Sequence, residues 1–348
     1  MYVIQARNVN DALISALDYL KAVGLKTDSR NGSVVRAPVP VVTVYQKPWE
    51  RVLFNPLRDA NPYFHFMEAL WMLAGRRDVH FPTQFNSQFG QFSDDGKVFH
   101  GAYGYRWRKW FSYDQLQIIA EELRVNPSSR RCVLAMWDAS QVVENEFVGG
   151  GTDIPGDLLT AVNGGKDVPC NTHVYFDIVE GKLNITVCCR SNDIIWGAYG
   201  SNVVHFSMLQ ELMASWVGCQ IGTYYQLSNN FHIYTDKFPE DKWLEMCAAS
   251  VDYYNISNQE ELKGIPPFRM VNVPIDHWLT ELEFFIANPN DNFKEPFFEK
   301  VAKPMYRSYM VRKGKLGTGY AEAGAIRAED WRLACQQWIQ RREAKKNA

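Results

Sequence analysis

Two short alternating runs joined at a glycine constrain this chain more tightly than any other stretch. Thr172 to Ile178 and Leu183 to Cys189 alternate apolar and polar side chains at the spacing of strands, and Gly181 turns one into the other. Pro169 and Cys170 stand directly before the first run, so the thiol lies at a strand's mouth, where a turn exposes it. The second run ends on the polar cluster Arg190, Ser191, Asn192 and Asp193. Two strands with a nucleophile at one end and an anion-binding pair at the other outline a pocket.

The rest of the chain is ample to build around it. Its 348 residues are many for an average domain but fit one large domain, and 46% hydrophobic residues supply a core. A formal net charge of −2 argues against a nucleic-acid polymer or an anionic membrane as partner, whereas a small anion needs only a local group of arginines. Seven cysteines, an odd number without metal-ligand spacing, read as reduced thiols, and no metal is implied. The amino terminus lacks a basic patch followed by a long apolar run, and no apolar stretch is long enough to span a bilayer. The expectation is a soluble cytoplasmic protein.

Asn10 or Asp11 is expected to cap a helix running to about Val23, with Gly24 at its end. Asn61 to Gly75 has helical periodicity with Pro62 near the start, and it carries Glu68 among Leu70, Trp71 and Leu73. A carboxylate in that setting is costly without a partner, so Glu68 is either a proton-transfer group or a solvent-facing residue on an amphipathic helix. Arg130 and Arg131 begin another strand, where adjacent arginines are usually solvated. The Gly-rich segment from about 140 to 167 reads as a surface insertion, and Val203 to Val217 as an amphipathic helix stopped by Gly218, with His205 simply packed inside it. Further helices are expected near Asp241 to Ser250, Ile275 to Ala287 and Ala328 to Lys345. No repeat or low-complexity linker divides the chain, so the reading is one domain, with a core over about 29–236 and a helical extension over about 237–348.

Taken in order, Pro169-Cys170, Arg190-Ser191-Asn192-Asp193, Gly197, Asn202 and His232-Ile233-Tyr234 resemble the signature of the thymidylate synthase and deoxycytidylate hydroxymethylase family. Gly101 to Trp110 is similar to its Gly-x-Tyr-Gly-x-x-Trp-Arg-x-Trp, matching Tyr103, Gly104, Trp107, Arg108 and Trp110. Asn126 to Trp137 is similar to its Asp-Pro-x-Ser-Arg-Arg and following strand, Glu68 to its Glu-x-Leu-Trp, and the loop around Arg30 to its early phosphate loop.

The resemblance implies α+β architecture, a curved mixed sheet flanked by helices, with the sheets of two subunits back to back in a homodimer. It implies Cys170 as the nucleophile that adds to carbon 6 of a pyrimidine, its pKa lowered by a guanidinium such as Arg190. Glu68 and Tyr103 would move protons, and Asp193 would meet the pterin of 5,10-methylenetetrahydrofolate with Gly197 and Phe89 close by. Arg30, Arg190 and Ser191, with Arg130 and Arg131 from the other subunit, would hold a 5′-phosphate; a solvated loop arginine is the alternative for Arg30. His232 and Tyr234 would bond the ribose, and Asn202 the base edge. Asparagine there leans toward dUMP over dCMP, although GAYGSN is one residue longer than the family's usual spacing.

The product turns on water. Thymidylate synthases shield the reactive methylene with a tryptophan, an apolar C-terminal tail and a histidine after the cysteine; here the matching positions are Phe89, a charged Glu343 to Ala348, and Asn171. These three departures favour hydroxymethyl transfer over methylation, with a thymidylate synthase as the alternative and an inactive nucleotide-binding scaffold as a remote third. Hydroxymethyl pyrimidine nucleotides imply DNA modification, a bacteriophage source and a host cytoplasm.

Overall fold

The computed structural model describes residues 1–139, 156–255 and 264–347. Ten strands among them form two sheets: β1 (Tyr2–Ala6), β2 (Leu25–Ser29), β3 (Gly32–Arg36), β4 (Val41–Tyr45), β5 (Val133–Ala135), β6 (Asn171–Val179), β7 (Lys182–Cys189), β8 (Asn192–Asp193), β9 (Gln220–Ser228) and β10 (Phe231–Tyr234). The larger sheet runs β1-β4-β9-β7-β6-β5 and is mixed, with β6 and β7 antiparallel and β7 parallel to β9. The expected hairpin is therefore its centre, each strand reaching one residue beyond the sequence reading at the turn. A second sheet, β2-β3-β10-β8, was not legible in the sequence. It pairs His232 with Asp193 on one side and with Arg36 on the other, and it carries Arg30 at the β2–β3 turn.

Helix α1 (Val9–Val23) starts two residues earlier than expected, because the Asn8 side chain, rather than Asn10 or Asp11, accepts from the backbone N–H groups of Asn10 and Asp11. Helix α2 (Pro62–Leu73) begins as expected, with Asn61 accepting from Phe64 N at 3.2 Å and proline at the first position, where no N–H is missed. All its residues are buried, so it is no amphipathic surface helix and Glu68 is not solvent-facing. Two further helices follow, α3 (Tyr103–Arg108) and α4 (Gln115–Val125).

Helix α5 (Val203–Val217) corrects the sequence reading. Val203 to Ala214 are buried without interruption, since β7 and β9 lie beneath the helix while α2 and α4 flank it. A helix packed on several sides needs no polar stripe. Buried side chains such as Phe66, Leu70, Phe206 and Leu209 each stabilise the fold by roughly 1.5–3 kcal/mol, so the α2–α5 pair is a rigid floor.

The chain beyond Tyr234 folds onto that floor. Helices α6 (Asp241–Ala248), α7 (Ile275–Ala287) and α9 (Glu329–Asn347) match expectation, while α8 (Lys303–Lys313) and a π-helical turn at Phe298–Ala302 were missed. Tyr63 on α2 bonds Ser308 at 2.6 Å and meets the Trp338 ring edge-on, and Phe66 meets Trp331. Three cations of α9, namely Arg341, Arg342 and Lys345, converge on Asp59 just before α2. Of the segment read as an insertion, 140–155 lies outside the described residues. Its end returns to the core through Asp157, which takes two 2.8 Å bonds from buried Arg106. No helix among the described residues is long and apolar enough to cross a membrane.

Candidate active site

Cys170 sits at the mouth of β6, and Arg190 at the end of β7 holds it there. The backbone N–H of Arg190 donates to Cys170 O at 2.9 Å, while the guanidinium donates to Pro169 O and Val168 O and lies 3.9 Å from Sγ. Burial pushes the thiol's pKa up; Arg190 opposes this, Asp167 adds to it, and Arg30 opposes it from the β2–β3 turn. The expected acidifying contact with Arg190 is present, but burial outweighs it in the ligand-free protein, and the net shift is upward. The expected Arg30 reaches the same neighbourhood from the second sheet.

Tyr103 opens α3, and Gly104 makes its placement possible. A Cβ on Gly104 would stand 1.8 Å from Met72 O, so only glycine lets α3 lie against the end of α2. Burial raises the phenol well above its ordinary range, and Cys170 and Cys189 raise it further. Tyr103 is therefore a neutral O–H group rather than a phenolate. Beside it Asn171 is fully buried: Oδ1 accepts from Cys189 Sγ at 2.6 Å, while Nδ2 has no partner in hydrogen-bonding geometry.

Glu68, 3% exposed, is held at one oxygen. Ser201 Oγ and His205 Nε2 each lie 3.1 Å from Oε2, so His205 is more than a packing residue. The sequence contained its signal, a histidine three residues after Asn202, but not the carboxylate opposite. His65, one turn before Glu68, is pushed well below the usual histidine range by burial and by Arg58 and His205.

The link between β8 and α5 explains the extra residue in GAYGSN. Ile194–Asn202 winds as a π helix, the form by which a helix absorbs one inserted residue. Asp193 caps it, Oδ1 accepting from Ile195 N at 2.9 Å and Trp196 N at 2.6 Å; its Oδ2 is buried without a partner. Burial raises the Asp193 pKa, opposed by Trp196 N, His232, Ile195 N and Arg58. At the far end Asn202 Nδ2 donates to Asn192 Oδ1 at 3.1 Å, and Asn192 donates to Ser228 at 3.0 Å. A Cβ on Gly197 would lie 2.7 Å from Asn192 Oδ1, so a larger residue would disturb this amide pair. His232 is buried and its pKa lowered by burial, with Asp193 drawing it back; Tyr234 lies beside the exposed Trp196, which also meets Phe238. Ser191 is half-buried between Arg190 and this cluster.

Some expected residues lie elsewhere. Phe89 is half-buried against Phe64, Phe92 and Phe99, an aromatic cluster reaching α2 one turn before Glu68. Arg130 and Arg131 are exposed at the start of β5, and among the described residues neither guanidinium makes an ion pair. Val133 pairs with Tyr175 and Ala135 with His173, which puts Arg131 toward the far end of β6, roughly 20 Å along the strand from Cys170. Asp167 was missed: its Oδ2 is buried without a partner among the described residues, and burial raises its pKa to about 6.

A thiol beside arginine, a neutral phenol and a buried carboxylate are the kinds of group that an enzyme using a covalent nucleophile needs. The thymidylate synthase family model matches residues 57–276. The chain is 42% identical over 352 aligned residues to the deoxyuridylate hydroxymethyltransferase of Pseudomonas phage M6, covering 99% of this chain and 95% of that one. It is 35% identical to the enzyme of the same name from Bacillus phage SP01 over 60% of this chain and 52% of the relative. A third, from Delftia phage PhiW-14, is 28% identical over 67% and 62%.

The chain belongs to the thymidylate synthase family. It is a one-carbon transferase, with 5,10-methylenetetrahydrofolate as co-substrate. The residues present fit that co-substrate: the unpartnered Asp193 Oδ2 is an acceptor for a pterin N–H, and exposed Trp196 offers a flat apolar face beside it.

Proposed function

We propose that the enzyme transfers a hydroxymethyl group to carbon 5 of dUMP. The observation that carries this is the Cys170 corner, where a thiol beside Arg190 meets a neutral Tyr103 and the buried amide of Asn171 at the position where synthases place histidine. The names of the phage relatives support the same substrate and product.

The Cys170 thiolate adds to carbon 6, and the ring's electrons move toward carbon 5 and O4. Arg30, Arg190 and Ser191 orient the phosphate, His232 and Tyr234 the ribose, and Asn202 the base, whose free amide hydrogen and oxygen match O4 and N3–H of uracil. The co-substrate supplies a one-carbon unit at the oxidation level of formaldehyde: carbon 5 bonds to it and gives up its own proton to solvent, and the bond to the folate nitrogen breaks, releasing tetrahydrofolate and leaving an exocyclic methylene. Tyr103 donates its O–H where charge gathers. Water adds to that methylene, its proton passing to Glu68 as electrons return toward carbon 5 and O4, and Cys170 leaves as the carbon 5–carbon 6 double bond re-forms. Phe89 and an α9 end occupied with Asp59 leave the site open to that water.

The homodimer belongs to the same proposal. His173, Tyr175, Thr186, Tyr225 and Leu227 make one face of the large sheet half-exposed and largely apolar, a surface suited to a second copy. Arg130 and Arg131, too far along β6 to serve their own Cys170, would then reach the partner's phosphate site.

Incubation with dUMP and methylenetetrahydrofolate is expected to yield 5-hydroxymethyl-dUMP and tetrahydrofolate. Dihydrofolate with dTMP would overturn the product, and turnover of dCMP in place of dUMP would overturn the substrate.

A further inference from the structure

We propose that His205 is a positioning residue, holding Glu68 so that one carboxylate oxygen, Oε1, is left to work on the substrate. The inference rests on the nucleotide chemistry proposed above. Ser201 and His205 both bond Oε2, at 3.1 Å each, and Oε1 has no hydrogen bond among the described residues. A carboxylate oxygen that takes two bonds calls for donors, so Nε2 donates to Oε2 and Nδ1 points away from the carboxylate.

That nitrogen is the telling atom. His205 Nδ1 is buried with no partner among the described residues, a cost to the fold that an aliphatic side chain on α5 would avoid. Filling space therefore does not account for a histidine here. Holding the carboxylate does: glutamate has three side-chain torsions, and two donors on one oxygen fix them. They also draw electron density toward Oε2, which leaves Oε1 both free and correctly placed.

The charged and titratable groups around the pair are few. His65 comes from α2 and Arg58 from the segment before it, and burial keeps His65 neutral. Ser201 lies in the last turn of the π-helical segment and His205 in the first turn of α5, so both donors come from one stretch of chain. Residues four apart on a helical stretch share a face, which lets the two meet the same oxygen.

The test compares His205→Gln with His205→Asn. Both are polar and no larger than histidine, but the glutamine amide reaches the place of Nε2 while the asparagine amide stops near Nδ1. With [5-³H]dUMP and methylenetetrahydrofolate, the glutamine variant is expected to keep kcat and tritium release within about threefold, and the asparagine variant to lose roughly 10- to 100-fold in both, with KM for dUMP nearly unchanged. Equal kcat in the two variants, or a loss confined to KM, would overturn the proposal. If neither variant shows a cooperative melt, Ser201→Ala carries the same test: a several-fold fall in kcat at constant KM supports it, and unchanged kcat overturns it. Release of the carbon 5 proton precedes the choice between methyl and hydroxymethyl products. A parent enzyme that makes dihydrofolate would thus refute the proposed product and leave the His205 result readable.

Discussion

The corner around Cys170 and the clamp around Asp59 treat buried polarity in opposite ways. At the corner, Asp167 Oδ2, Asn171 Nδ2 and Asp193 Oδ2 are buried with no hydrogen-bond partner among the described residues. At the clamp, one carboxylate takes Arg341 and Lys345 at 3.0 Å each and Arg342 closer still. Burial pushes Asp59 up, but the bonds from Arg342, Lys345 and Arg341 outweigh it and hold the carboxyl below its usual range. An unpaired buried polar atom destabilises a fold by roughly 1–3 kcal/mol, and among the described residues such atoms also occur away from the corner, as at Glu295 and at Trp338 on α9 itself. The difference is one of density: the corner gathers three of them, whereas the clamp sets one carboxylate against three cations and so fastens the C-terminal helix.

The largest expected effect lies at the corner. Cys170→Ala should lower turnover by roughly 10⁴-fold or more while dUMP still binds by calorimetry, since phosphate and ribose contacts remain. Arg131→Ala should lower turnover by raising KM for dUMP. If sites are shared, mixing the two variants at dUMP well below the raised KM, under conditions that exchange subunits, gives more activity than the sum of the two measured alone. A mixture no more active than that sum although mixed dimers form would break the shared-site reading.

Asp59→Ala addresses the clamp. Loss of the acceptor for three cations should lower stability by roughly 1–3 kcal/mol, reduced because the group is half-buried and solvent screens it. Chemical denaturation should show the gap from the parent narrowing as salt rises, whereas a gap indifferent to salt would mean that packing by Trp338 and Ile339 fastens α9 instead. The corner should respond to pH in a different way. Asp167, at about 6, is raised above its unfolded value, so its neutral form stabilises the fold at low pH and that contribution disappears as pH rises through 6. Asp167→Asn should therefore add stability above pH 6, on the order of 2 kcal/mol or less, and no advantage near pH 4. It should also remove a repulsion on the thiolate and move the rising limb of kcat/KM slightly toward acid. A limb that stays put would show that Asp167 does not sense Cys170.

What the sequence made legible follows from how local each signal is. The β6–β7 hairpin and the Asn61-Pro62 helix start are written in neighbouring residues, and both stand where expected. The reading of Cys170 at a strand's mouth, Arg190 at the end of the next strand and Glu68 on a helix rests on short local patterns, and the structure has all three at those places. Helix α5 misled because burial depends on what covers a helix, and its covers come from β7, β9, α2 and α4. His205 was dismissed for the same reason: nothing within several residues of it announces Glu68, 137 positions away. The net rise of the Cys170 pKa was equally hidden, since it arises from the depth at which the hairpin mouth sits.

One additional residue between Asp193 and Asn202 has a consequence beyond local winding. Asp193 and Asn202 stand at the two ends of one wound segment, so the separation between the unpartnered carboxylate oxygen and the amide is set by backbone pitch. Side-chain substitution leaves that quantity largely untouched, and a single-codon deletion within the segment would alter it at once.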